Sequence, residues 1–218
     1  MNLRSIFFIV ISFFVFQQTF AQRNYKGYNR FGVQGGMTLF DINTDDLITK
    51  QSEGFAGGFT TRGAFYNDFD IVYGLSFYNS NIDIQTDLPT GGTQFIDYTI
   101  QAAQLSFLGS YNIIVKHLSV EFGPVLNVNS KMKLNNDQYE DYIISGYNSI
   151  TAKDIQKISP VNFHVAGGLT AGFESFRVSA LYQYGVTNTL NKLNDQDLEN
   201  EDFKGNSSTI TLGAVFYF

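Results

Sequence analysis

Apolar and polar residues alternate with a period of two along eight segments of this chain, a pattern that predicts strands with one greasy and one polar face. Phe31–Ile42 sets Phe31, Val33, Met37 and Leu39 against Gly32, Gln34, Gly36 and Thr38. Gly54–Phe65 sets Phe55 and Phe59 against Ala56, Gly58, Thr60 and Arg62. Phe69–Tyr78 sets Phe69, Ile71, Tyr73, Leu75 and Phe77 against Asp70, Gly74 and Ser76. Phe95–Ile113 is long and changes phase near Gln101-Ala102-Ala103, which predicts a β-bulge there. His117–Asn129, Ile158–Phe173, Phe176–Leu190 and a last strand from Ser207 to Phe218 complete the set.

The connections alternate in length. Short links lie near Tyr66–Asp68, Val115–Lys116 and Glu174–Ser175; long ones cover Asn43–Glu53, Asn79–Gln94, Ser130–Lys157 and Asn191–Asn206. Such alternation predicts an all-β protein, an eight-stranded antiparallel up-and-down β-barrel with short turns at one end and long loops at the other. Closure also removes the edge that an apolar last strand would otherwise expose.

Residues 1–21 read as a secretory signal peptide. Arg4 precedes an apolar run from Ile6 to Phe16, and Thr19-Phe20-Ala21 supplies a small residue before the cut. The run is about half the ~20 residues that a spanning helix needs. Removal leaves 197 residues (218 − 21), enough for one domain at 31–218 preceded by a short polar arm, 22–30, without fixed structure. With the last strand ending at Phe218, no appended domain is expected.

Charge decides which face looks outward. A soluble, lipocalin-like barrel should be charged at roughly a quarter to a third of its surface positions. Here the polar face is mostly Gly, Ser, Thr, Gln and Asn, with clear charges only at Arg62, Asp70, Glu121 and Arg177. The other charges collect in the long loops, for example Asp45, Asp46, Lys131, Glu140, Asp195 and Glu199. Small polar residues fit a narrow lumen, and a face rich in Phe and Tyr fits lipid, so a transmembrane barrel is expected. With 22 Phe and 13 Tyr but no Trp, the interfacial aromatic belts would rest on the first two residue types. The mature chain carries 13 Lys and Arg against 20 Asp and Glu, or −7, which argues against nucleic acid as a partner. No cysteine is present, so disulfides and thiolate metal sites are excluded.

Several stretches resemble a known family. Phe31-Gly32-Val33-Gln34-Gly35-Gly36 is similar to the glycine-rich first strand of PorT-type outer-membrane β-barrel domains, OmpA-like small barrels common in Bacteroidota envelopes. Val120-Glu121-Phe122-Gly123-Pro124 resembles their Glu-x-Gly-Pro fifth strand, while Tyr98-Thr99-Ile100-Gln101-Ala102 lacks the proline that members often show. The spacing Thr211-x-Gly213-x-x-Phe216-x-Phe218 resembles the C-terminal signal by which outer-membrane barrels are recognised for assembly. The resemblance implies an integral, multi-pass outer-membrane protein, with outer-membrane lipid and the barrel-assembly machinery as partners and other envelope proteins as further candidates.

Candidate chemistry is sparse. Arg62, Asp70, Glu121 and Arg177 all project inward near short turns, and charges there need partners because desolvating one alone is prohibitive. They are expected to form a lumenal ionic cluster that plugs and braces the barrel rather than a gate or proton path. His164 is expected to face the lumen near Asn162 and Thr170, and His117 to sit at a turn. Neither suits a lipid-modifying enzyme, whose histidine should face lipid near the outer rim. Asp195-x-Asp197-x-Glu199 has Asn200 where a calcium loop needs glycine, so a solvated acidic loop is expected. Tyr139, Tyr142 and Tyr147 in the 130–157 loop are the candidate extracellular contact patch, or extend the flanking strands. The leading expectation is a non-enzymatic structural or docking subunit without cofactor or metal, with a place in a secretion or assembly complex open. The alternatives are an outer-membrane lipid-modifying enzyme and a soluble periplasmic binding barrel.

Overall fold

The computed structural model describes residues 28–218, so the expected signal peptide and most of the N-terminal arm lie outside it. One antiparallel sheet contains β1 (Asn29–Asn43), β2 (Thr49–Tyr66), β3 (Phe69–Asp87), β4 (Thr93–Ile114), β5 (Leu118–Asn129), β6 (Lys133–Leu134), β7 (Ile143–Ile144), β8 (Val161–Gly172), β9 (Phe176–Gly185) and β10 (Asn206–Tyr217). Eight of these strands close into a ring, β1-β2-β3-β4-β5-β8-β9-β10, and β10 pairs back onto β1 from Gly32↔Tyr217 to Asn43↔Asn206. The short strands β6 and β7 add to the far ends of β4 and β3. Tight turns join β2 to β3, β4 to β5 and β8 to β9; Asn67 and Lys116 adopt positive φ in the first two.

Inside the ring the backbones run close. A Cβ added to the inward-facing Gly58 would lie 2.1 Å from the Leu75 carbonyl oxygen, and one added to Gly36 would lie 2.4 Å from that of Leu212. Strands this strongly coiled leave no room for a side chain at those positions.

The predicted bulge at Gln101–Ala103 is absent. The β3–β4 register runs without a break from Phe69↔Tyr111 to Asp87↔Thr93. What changes along β4 is the surroundings rather than the backbone. Even-numbered residues face inward throughout, but apart from Leu108 they are polar toward the turn end, at Gln104, Ser106, Ser110 and Asn112, and apolar toward the loop end, at Ile96, Tyr98 and Ile100. On the outer face Leu105, Phe107, Tyr111 and Ile113 give way to Gln101, Thr99 and Asp97. β3 repeats the inversion: Phe69 to Phe77 alternate outward, followed by Asn79, Asn81 and Asp83, while Ile82 and Ile84 turn inward.

The barrel therefore has two zones. The turn-end zone wears an outward apolar belt of nine to eleven residues per strand, as in Phe69–Phe77 and Ala103–Ile113. At ~3.3 Å per residue and a tilt of ~40°, that length gives a belt roughly 25 Å tall. In the loop-end zone, 79–94 is mostly a strand hairpin instead of the expected long loop. It joins the 130–160 and 186–205 segments around a buried apolar core that includes Ile42, Ile82, Ile84, Ile96, Tyr98, Met132, Ile155, Leu190 and Phe203. The long loops thus form a folded cap with an interior of its own.

Candidate functional site

Three tiers of side chains fill the barrel from the turns to the cap. At the turn end, Arg62 on β2 reaches two carboxylates: its Nη1 donates to Asp70 Oδ2 on β3 at 3.1 Å, and its Nη2 pairs with Glu121 on β5. Nη1 also donates to Ser110 Oγ at 2.8 Å, and Nε lies 3.4 Å from the Tyr217 hydroxyl. Arg62, Asp70 and Glu121 are each less than 5 % exposed, so each depends on these partners. Asp70 further accepts from the Tyr28 hydroxyl at 2.6 Å and Asn112 Nδ2 at 3.1 Å.

Arg177, expected in the same cluster, stands apart from the carboxylates. Its Nη2 donates to Ser119 Oγ at 2.8 Å and the Thr170 carbonyl at 3.1 Å, and Nη1 donates to the Lys116 carbonyl at 3.1 Å. Ser119 in turn donates to Asn112 Oδ1, so Arg177 meets Asp70 only through a relay of two neutral side chains. Below the cluster, Glu174 pairs with both Arg30 and Lys116 at the rim. Hydrogen bonds from Lys116 first and Arg30 second hold the Glu174 carboxyl down at about 2. Tyr28, Asn29 and Arg30 are accordingly ordered, and the barrel starts two residues before the expected boundary at Phe31.

The middle tier is a small cavity of about 60 Å³, room for a few waters. Gln34 Nε2 spans it to Ser76 Oγ at 2.6 Å, and Gln183 Nε2 reaches the Tyr78 hydroxyl at 3.3 Å. One side of this tier is apolar: Val72, Leu108, Val125 and Ala166 pack together with Leu181. His164 does face inward, but its Nε2 lies 3.2 Å from Asn127 Nδ2 and from Ser207 Oγ rather than beside Asn162 or Thr170. Asn162 instead donates to the Ser159 carbonyl. His117 caps the Gly172 carbonyl at the turn and packs edge-on against Phe173.

The third tier is the cap. Tyr147 is turned inward against Phe203 and donates to the Asp46 carbonyl at 2.9 Å, and burial raises its pKa. Tyr139 also packs on the cap core and stacks edge-on with the half-buried Tyr142, so Tyr139 and Tyr147 are part of the cap's packing rather than a free patch. The last loop is docked as well. Glu199 accepts the backbone N–H groups of Asn148 and Ser149 at 2.8 and 2.9 Å, which lowers its pKa, and Asn200 Nδ2 donates to the Tyr147 hydroxyl. Asp195 pairs with Lys192 within the same loop.

At the closing strand, Thr211 and Gly213 face the lumen while Phe216 and Phe218 project outward with their rings 5.3 Å apart. Tyr28, Tyr217 and the Ser110–Asn112–Ser119 group are the lumenal partners that the sequence pattern did not single out. Tyr217 was findable, since it shares the lumenal phase of β10 at the level of the cluster.

No protein-family profile matches the chain, and no curated protein matches it by sequence. Solved structures do. Neisserial surface protein A is similar with a TM-score of 0.50 and 12% identity, over 86% of this chain and 97% of that one. OprG of Pseudomonas aeruginosa, an outer membrane protein, scores 0.49 at 12% identity over 88% and 97%. The attachment invasion locus protein Ail of Yersinia pestis scores 0.45 at 16% identity over 87% and 99%. At 12% identity the likeness to Neisserial surface protein A concerns the fold alone, the all-β eight-stranded antiparallel barrel that the strand pairings close.

Proposed function

We propose that this chain is a non-enzymatic, integral outer-membrane barrel with a blocked lumen, whose folded cap is a rigid platform presented outside the membrane. The observation that carries the reading is the outward apolar belt, about 25 Å tall by the strand geometry, which matches the hydrocarbon thickness that outer-membrane barrels span. Phe and Tyr crowd both rims of this belt, for instance Phe65, Tyr66, Phe173 and Phe218 at the turns and Phe55, Phe77 and Phe163 toward the cap. Polar residues take over the same outer face beyond Phe77 on β3 and below Ala103 on β4, where the wall would emerge into water.

Three tiers favour a blocked lumen: the ionic cluster, a cavity of about 60 Å³ and the buried core of the cap. The two histidines support this reading over a lipid-modifying enzyme, since one is lumenal and the other caps a turn. The glycine-rich β1 and the Glu121-Phe122-Gly123-Pro124 stretch favour kinship with PorT-type barrels. Docking in an envelope secretion or assembly complex fits a rigid cap, and Thr211, Gly213, Phe216 and Phe218 fit recognition by the assembly machinery. The test is a carbonate wash of membranes from cells expressing the full chain, followed by planar-bilayer recordings on the purified barrel. Retention in the pellet without conductance is expected; release into the wash overturns the membrane reading, and steady conductance overturns the blocked lumen.

A further inference from the structure

The turn-end mouth of the barrel has an arginine that the ionic cluster leaves over. Four cations, Arg30, Arg62, Lys116 and Arg177, line a small cavity there together with Tyr28 and Glu174. The carboxylates paired with them are three: Asp70 and Glu121 hold Arg62, and Glu174 is shared between Arg30 and Lys116. Arg177 forms no ion pair among the described residues, although it is only 2 % exposed. Its Nε–H also has no hydrogen-bond acceptor among them. A guanidinium buried with neutral partners and one idle donor is costly, and a complementary anion would offset that cost.

We infer that this mouth is an oxyanion-binding site for a phosphate group, with Arg177 as its buried anchor and Lys116 and Arg30 as its rim. The cavity, about 10 Å³, admits one water-sized atom. One phosphate oxygen enters to meet Arg177, and the rest of the group stays at the rim. There Lys116 is half exposed and Arg30 is held over the Tyr28 ring at 5.2 Å. Glu174 occupies the rim donors when no anion is bound, so it competes with the ligand. A lipid phosphodiester and free phosphate share this chemistry. The lipid source rests on the membrane reading, which places these turns at a headgroup layer; free phosphate does not.

Calorimetric titration of the detergent-purified full chain with inorganic phosphate, and separately with a short-chain phosphatidylglycerol below its micellar concentration, tests the site. Glu174→Gln frees two rim donors and should tighten binding about three- to tenfold, whereas Lys116→Asn, which tolerates the positive φ of 67° at that position, should weaken it by a similar factor. Arg177→Met should abolish binding, with its strand circular dichroism checked first; the two rim variants keep the test decisive if that protein does not fold. Binding of the short-chain lipid with these opposed shifts assigns a headgroup, and binding of phosphate alone assigns the free anion. No saturable binding of either, or binding that both rim variants leave unchanged, overturns the site. Neither outcome touches the carbonate-wash result, so the two readings fail separately.

Discussion

Removing Arg62 should harm this barrel more than removing the carboxylate it pairs with. Breaking a buried ion pair by deleting one partner typically costs about 3–5 kcal/mol, because the other charge is left buried and uncompensated. In Glu121→Leu, Arg62 keeps Asp70 at 3.1 Å and Ser110 at 2.8 Å, which places the cost at the lower end, about 3 kcal/mol. In Arg62→Met, two carboxylates lose their common cation. Asp70 retains Tyr28 and Asn112 as donors, but among the described residues Glu121 retains only Ser110 at 3.5 Å, so the cost approaches about 5 kcal/mol. The difference of about 2 kcal/mol is near thirtyfold in the folding constant. The double variant Arg62→Met/Glu121→Leu should be no less stable than Arg62→Met alone, because it removes the stranded charge together with its partner. Urea unfolding of the barrel in lipid vesicles, followed by far-UV circular dichroism, measures all three. Additive losses, or a Glu121→Leu protein within about 0.5 kcal/mol of wild type, would refute the bracing role of the cluster.

Other consequences concern the wall and the cap. Asp97 stands directly opposite Asp83 on the outer face of the β3–β4 hairpin, and the hydrogen bond from sharing a proton with Asp83 raises its pKa above the ordinary carboxylate value. A raised folded-state pKa means that repulsion is fully present at neutral pH and is relieved as pH falls through that value toward about 4. Asp97→Asn should therefore slow hydrogen exchange in the hairpin at pH 7 and remove its stabilisation on acidification. Ile96→Ala should cost about 2–5 kcal/mol in the cap core and expose the 130–160 segment to limited proteolysis, while the belt strands stay protected. Leu105→Arg, on the belt, should cost about 2–4 kcal/mol in vesicles. Gly58→Ala puts a methyl group against the Leu75 carbonyl, and vesicle folding yield should fall sharply; an unchanged yield would show that the strand can shift to accommodate it.

The sequence pattern makes the lower barrel legible because each strand there has one apolar and one polar face, as at Phe69–Phe77 and Phe31–Leu39. It misleads where the surroundings invert. At Gln101–Ala103 the hydrophobic phase flips although the strand continues straight, and a shift of solvent looks the same in a sequence as a shift of backbone. The same inversion hides the hairpin within 79–94, whose Ile82 and Ile84 lie on the face expected to be polar. The inward charges were legible from their phase alone, but their pairing was not. Arg177 shares the level of Asp70 and Glu121, and only the hydrogen bonds of Ser119, Asn112 and Ser110 decide which carboxylates go to Arg62. The tyrosines at 139 and 147 read as a surface patch because loop aromatics carry no period that marks their packing against a core.

The most direct test of the account uses the absence of native cysteine. Single cysteines at Tyr73, Leu75 and Leu105 on the belt, and at Asn81, Asp83 and Thr99 beyond it, can carry spin labels in vesicle-reconstituted protein. Collisions with lipid-soluble oxygen should dominate for the first three and collisions with a water-soluble nickel chelate for the second three, with the crossover between Phe77 and Asn79 on β3. Belt labels that respond to nickel as strongly as those of the hairpin would contradict a lipid-facing wall.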